Sequence, residues 1–302
     1  MRKKVAVGIT VIVLVAVLVA SFLVSSPDQR TNYLERGNHI AVIYIEGTIT
    51  SGRSGGDFFS GTTAGSMTIM EHLRMAASDP TVGAVVLRFN TPGGSVAASQ
   101  EIATEIMRLR ETGKPIVASM ADVTASAGYY LASLADVIVA NPGTITGSLG
   151  VFMQVANFEE LYEKLGIEYT IIMSGEYKDI GSANRALRPD EREILQTMVD
   201  EIYQQFIETI AQGRDMPLER VRELADGRIY TGSQAKELGL VDEMGNYYDA
   251  INRAAELAGI TGVPRVKNYH RPGPLDFLFS SQDFSNFWRG LSIQPVQPLV
   301  VN

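Results

Sequence analysis

Two corners of the chain place small residues just ahead of a helical pattern: Pro92-Gly93-Gly94 and Thr124-Ala125-Ser126-Ala127-Gly128. Small side chains let backbone amides approach a ligand closely, and a helix starting at such a corner adds the positive end of its dipole. Either corner could hold an oxyanion. Neither completes the G-x-G-x-x-G or G-x-x-x-x-G-K-[ST] pattern of a nucleotide site. Acyl chemistry remains, in which a hydroxyl attacks a carbonyl and amides stabilise the tetrahedral oxyanion. Ser126 supplies such a hydroxyl. The histidines, His39, His72 and His270, all lie away from both corners in the sequence. A lysine can serve as base instead, where burial without a counter-charge lowers the ammonium from its usual ~10.4. Lys178 follows the apolar run 169–173, which predicts a half-buried place near the edge of a sheet. Glu176 and Asp179 flank it, and a carboxylate beside the amine would act in the opposite sense. Taken singly, Ser126 also reads as a helix N-cap and Lys178 as a solvated loop lysine.

The elements that must position these residues follow from the apolar pattern. Residues 40–45 read as a strand, 51–66 as a Gly/Ser/Thr-rich loop and 67–77 as a helix. The run 82–89 is apolar enough for a strand buried on both faces, and it leads into the first corner. Ser95 is a candidate N-cap for a helix through Arg110, with Ile102, Ile106 and Leu109 on one face. Strand 115–119, helix 126–134, strand 137–140, helix 152–165 and strand 169–173 follow in alternation. That order predicts an α/β domain with a largely parallel sheet. From Pro189 the pattern is helical, with Ile194, Met198, Ile202 and Phe206 at four-residue spacing behind an acidic first turn. Shorter helices are predicted at 218–224, 234–238 and 248–258.

The 302 residues include no cysteine, which removes thiol nucleophiles, disulfides and Cys-ligated zinc. The three histidines show no metal-ligand spacing, so no metal and no other cofactor is expected. A net charge of −8 offers no basic face to a row of phosphates, which argues against a nucleic-acid partner. Residues 5–24 are uncharged and almost wholly apolar, long enough at ~1.5 Å per residue to cross a bilayer core of ~30 Å. Arg2, Lys3 and Lys4 precede this run, so the N-terminus is expected in the cytoplasm and the remainder outside the cytoplasmic membrane. The run exceeds the apolar core of a cleaved signal peptide, and no A-x-A-like site follows it. The expected division is 1–4 inside, 5–24 spanning, 25–38 linker, 39–263 α/β domain, and 264–302 a Pro-rich aromatic tail.

In combination these features resemble a known family. Asn90-Thr91-Pro92-Gly93-Gly94-Ser95-Val96, Ala125-Ser126-Ala127-Gly128-Tyr129-Tyr130, Gly147-Ser148-Leu149-Gly150-Val151 and Tyr177-Lys178-Asp179, in that order, are similar to the short, single-repeat signal peptide peptidase A family. Tyr230-Thr231-Gly232 and Gly239-Leu240-Val241-Asp242 extend the likeness across residues 40–260. The resemblance implies a Clp protease/crotonase-like fold, Ser126 as nucleophile and Lys178 as general base. It implies that Ser148 holds the lysine amine, and that the oxyanion hole is drawn from Gly93, Gly94 and the amide of Ser126 or its neighbour Ala127. It also implies a homo-oligomer whose serine and lysine meet across a subunit boundary. Ala127 stands where the family often has glycine, which is tolerable unless that position needs a positive φ. The implied activity is cleavage of remnant signal peptides or other hydrophobic peptide segments at the outer face of the membrane. Two alternatives share the fold: a membrane protease that cleaves stomatin-like partners, and a non-catalytic membrane scaffold. An acyl-CoA enzyme of the crotonase type would share the glycine corner but needs neither a Ser-Lys pair nor an anchor.

Overall fold

Strand β1 (His39–Glu46) and strand β5 (Val82–Thr91) carry apolar residues on both faces, and the period of two sends them into different layers. Ala41, Ile43, Ile45, Val85, Leu87 and Phe89 point into one buried cluster. Ile40, Val42, Ala84 and Val86 point into another. A sheet buried this way needs helices on both sides, as in doubly covered parallel sheets.

The computed structural model describes residues 37–57 and 61–269. After β1 come β2 (Thr48–Thr50), β3 (Arg53–Asp57), β4 (Gly61–Gly65) and helix α1 (Ser66–Ser78). Beyond β5 lie α2 (Val96–Glu111), β6 (Ile116–Ala125), α3 (Ala127–Ala132), β7 (Val137–Ala140) and β8 (Ile145–Gly147). The remainder is α4 (Glu159–Lys164), α5 (Pro189–Gly213), α6 (Leu218–Leu224), β9 (Ile229–Thr231), α7 (Gly232–Glu237), β10 (Glu243–Met244), α8 (Tyr247–Leu257) and β11 (Arg265–Tyr269). The main sheet runs β10-β7-β6-β5-β1-β11 with every neighbour parallel. Strand β8 pairs parallel with the far end of β6, and β9 closes antiparallel on β8. Helices α1, α2 and α3 supply the larger cluster, while Ala250, Ile251, Ala254 and Ala255 of α8 supply the smaller. The mixed α/β architecture with a mostly parallel sheet fits the Clp protease/crotonase-like fold.

Four expectations are corrected. Residues 51–66 are not a loop: β3 and β4 form an antiparallel hairpin, and β4 pairs parallel with β2. Glycine serves close backbone approach there, since a Cβ on Gly65 would lie 2.1 Å from the Arg53 carbonyl carbon. The helix expected over 152–165 is confined to α4. The strand expected over 169–173 does not form; Tyr169, Ile171, Ile172 and Met173 are exposed, and among the described residues no strand pairs with them. Residues just past Val263 do not begin a tail, because β11 adds to the edge of the sheet beside β1. The expected spanning run 5–24 and most of the aromatic tail lie outside the described residues. Among those described, no helix is long and apolar enough to cross a membrane.

Candidate active site

Ser126 occupies the sharp turn between β6 and α3, with φ 53° and ψ −122°. A left-handed backbone at a residue with a side chain costs about 1–3 kcal/mol and persists only where the surroundings enforce it. Here the Ser126 amide donates to the Gly147 carbonyl at 2.8 Å, and the Ser126 carbonyl accepts from the Tyr130 amide at 3.0 Å. The hydroxyl makes no capping bond to the helix. The N-cap reading of this serine therefore gives way: the turn holds the backbone and leaves Oγ toward the cleft. Ala127 is not among the residues with positive φ, so its methyl is accommodated.

Pairing of β6 with β8 places a second serine beside the first. Ala125 is in register with Gly147, so the next residues, Ser126 and Ser148, are neighbours past the paired strand ends. Ser148 is also left-handed, with φ 51°, and its amide donates to the Arg228 carbonyl at 2.7 Å. Both serines line one open cleft with Gly93, Gly94 and Gly150.

The glycine pair brings the amides. Ile49 donates to the Gly93 carbonyl and accepts from the Ser95 amide, each at 2.9 Å, a parallel bridge that turns the Gly94 amide away from β2. Gly93 packs on the serine turn so closely that a Cβ there would lie 2.9 Å from Ser126 Cβ. Its own N–H donates to Oγ1 of the fully buried Thr91 at 3.1 Å. The Ser126 amide is likewise engaged by Gly147. Two amides remain, those of Gly94 and of Ala127, the first residue of α3, which has no intrahelical partner, and both residues line a pocket with Ser126. Sequence reasoning missed Thr91; the threonine two residues ahead of a Gly-Gly pair was the available signal. Gly94→Ala is expected to lower stability by about 2–3 kcal/mol. Its φ is +153°, and its Cβ would stand 2.1 Å from the Ile49 carbonyl oxygen. Chemical denaturation followed by circular dichroism reads that loss.

A largely apolar pocket adjoins this cleft at Ser126, walled by Val96, Tyr130, Val151, Phe152, Ile202 and Phe206. Tyr130 and Phe206 stack with centroids 5.3 Å apart, which ties α3 to the C-terminal half of α5. That half is buried through Phe206, Ile207 and Ile210, whereas Ile194 and Met198 of the same stripe are exposed.

Lys178 stands apart from this constellation. It lies on a run of turns between α4 and α5, is exposed, and lines neither pocket that opens on Ser126. The half-buried edge position is thus corrected: without a strand over 169–173, nothing among the described residues covers the lysine. Asp179, the flanking acid, is engaged by Arg185, whose hydrogen bonds hold the carboxyl below the ordinary aspartate range. One chain therefore assembles Ser126, Ser148, Gly93, Gly94 and Ala127, and leaves Lys178 outside.

Residues 108–261 match the sequence profile of Peptidase family S49. The chain is 50% identical over 177 residues to a putative protease of Synechocystis, covering 59% of this chain and 64% of that protein. It is 38% identical over 236 residues to Protease 4 of Haemophilus influenzae, covering 78% and 37%. It is 34% identical over 230 residues to a putative signal peptide peptidase of Enterococcus faecium, covering 76% and 64%. The chain thus spans less than two thirds of the length of these relatives.

Proposed function

Because this chain belongs to peptidase family S49, and is a protease by that membership, we propose that Ser126 is the nucleophile of a membrane-anchored serine endopeptidase whose general base is Lys178 of a neighbouring copy. The observation that carries this reading is the Ser126 turn: a hydroxyl left uncapped by a left-handed backbone, lining one pocket together with Gly94 and Ala127. Ser126 Oγ attacks the peptide carbonyl while the neutral lysine amine accepts its proton, steadied by Ser148 Oγ. The tetrahedral oxyanion rests on the N–H groups of Gly94 and Ala127. Collapse expels the amine, which takes the proton from the lysine, and leaves Ser126 acylated. Water, deprotonated by the same lysine, then hydrolyses the ester.

The apolar pocket supports substrates with apolar side chains, and a signal peptide is such a segment. With residues 5–24 as an uncleaved anchor, the catalytic domain would meet remnant signal peptides at the outer face of the membrane. A fluorophosphonate probe should label the oligomer at Ser126, located by peptide mass spectrometry. A scaffold on the same fold would stay unlabelled. N-terminal sequencing of the membrane fraction is expected to return the intact start; a mature chain beginning near Asp28 would overturn the anchor.

A further inference from the structure

Lys178 is carried by hydrogen bonds that lead away from it in both directions. Its amide donates to the Gly175 carbonyl at 3.1 Å, and the next turns close through Ile180 to Tyr177 at 3.1 Å and Ser182 to Asp179 at 2.9 Å. Arg185 then grips Asp179 with Nε at 2.9 Å and Nη2 at 2.8 Å. The other edge of the same guanidinium reaches Glu191 with Nη1 at 2.8 Å and Nη2 at 2.5 Å. Glu191 is fully buried in the first turn of α5, where it also accepts from the Arg188 amide at 3.0 Å. Arg188 returns to the lysine turn: its Nη2 donates to the Glu176 carbonyl at 3.2 Å and its guanidinium lies 5.3 Å from the Tyr177 ring centre.

We propose that Arg185, anchored on buried Glu191, is a positioning residue for Lys178: it fixes the lysine turn to α5 and pairs with the negative charge of Asp179, the next residue in the chain. The proposal rests on the reading of Lys178 as general base. Both residues beside the lysine are tied to one buried carboxylate, and that carboxylate begins the helix whose other half walls the pocket at Ser126. Assembly that places α5 therefore also places the lysine. A bidentate guanidinium suits this, because it fixes distance and angle and stays charged at every working pH. The titratable and charged groups on and against the turn are Glu176, the neutral phenol of Tyr177 and Asp179 from the turn itself, Arg185 and Arg188 from the loop behind it, and Asp190 and Glu191 from α5. Glu159 of α4 reaches the same loop through the Ala186 amide at 3.0 Å. Arg185 holds both Asp179 and Glu191 below their ordinary range, so the clamp stays ionised across the neutral region.

The pH dependence of kcat/KM on a hydrophobic fluorogenic peptide tests the proposal with assembled full-length protein. In Arg185→Gln the carboxylate of Asp179 is released, and the acidic limb is expected to move up by about one pH unit. Asp179→Asn alone is expected to move it down. Arg185→Gln with Asp179→Asn should return it near the wild-type position, and Arg185→Lys should keep the limb while lowering kcat. A limb unmoved by Arg185→Gln, with only kcat reduced, means a structural tie and overturns the proposal. Should Arg185→Gln fail to assemble, the double variant decides, because a profile equal to that of Asp179→Asn alone would show that the arginine does not act on the lysine. The general-base reading fails separately, if Lys178→Ala keeps normal turnover.

Discussion

Ser126→Ala is expected to lower kcat/KM by at least about 10⁴-fold and to abolish probe labelling, with no loss of folded protein. Alanine keeps the Cβ, so the strain at φ 53° stays as it is, and the hydroxyl it removes makes no capping bond. Ser126→Gly should be equally inactive but more stable than the parent by roughly 1 kcal/mol, because glycine adopts positive φ without a Cβ penalty. That corresponds to about 2–4 °C in Tm for a domain of this size. A pair of inactive variants, one neutral and one stabilising, is the signature of a backbone held in a costly conformation for the sake of its side chain. Comparable turnover in either variant would remove Ser126 from the mechanism. Equal melting temperatures for the two would remove strain from the account of the turn.

Where burial lies within the chain, apolar periodicity made the fold legible. The runs 40–45, 82–89 and 137–140 are strands covered on both faces, and Ile102, Ile106 and Leu109 face the core from α2 as their spacing requires. Ser95 caps that helix, accepting from the Ala98 amide. The Ser126 corner was legible for a different reason: consecutive small residues between a strand and a helix are needed wherever backbone must approach backbone. The same logic misled over 51–66, where close approach builds a hairpin rather than a loop. Between 152 and 173 the failure has another cause. Periodicity records that a residue avoids water and says nothing about which chain covers it, and here Phe152 is 85% exposed and Ile172 95%. The Arg185 clamp was invisible as well, because charge partners along an irregular backbone leave no period to read. The acid beside Lys178 looked like an obstacle in the sequence only because its guanidinium partner was not in view.

Mixing two inactive variants is the largest remaining effect, and it follows from that exposed apolar excursion. Leu165, Ile172, Ile194 and Met198 join Phe152 as large apolar side chains exposed along residues 152–198, the stretch that also carries the lysine turn. A second copy of the chain laid over it would bury these side chains and bring Lys178 to a serine that its own chain does not offer it. In a closed head-to-tail ring every interface is equivalent. Ser126→Ala chains supply only lysines and Lys178→Ala chains supply only serines. Random assembly from equal parts then creates a competent junction at about one interface in four, since the serine donor and the lysine donor must each be the intact one. The co-assembled oligomer, purified through two different affinity tags, is therefore expected to recover about a quarter of wild-type turnover, while each variant alone remains inactive. Probe labelling should fall only on the chains that retain Ser126. If mixed oligomers form, as native mass spectrometry would show, and stay inactive, then serine and lysine must meet within one chain. Lys178 would then have to travel from its exposed turn into the Ser126 cleft by a rearrangement of the segment between α4 and α5.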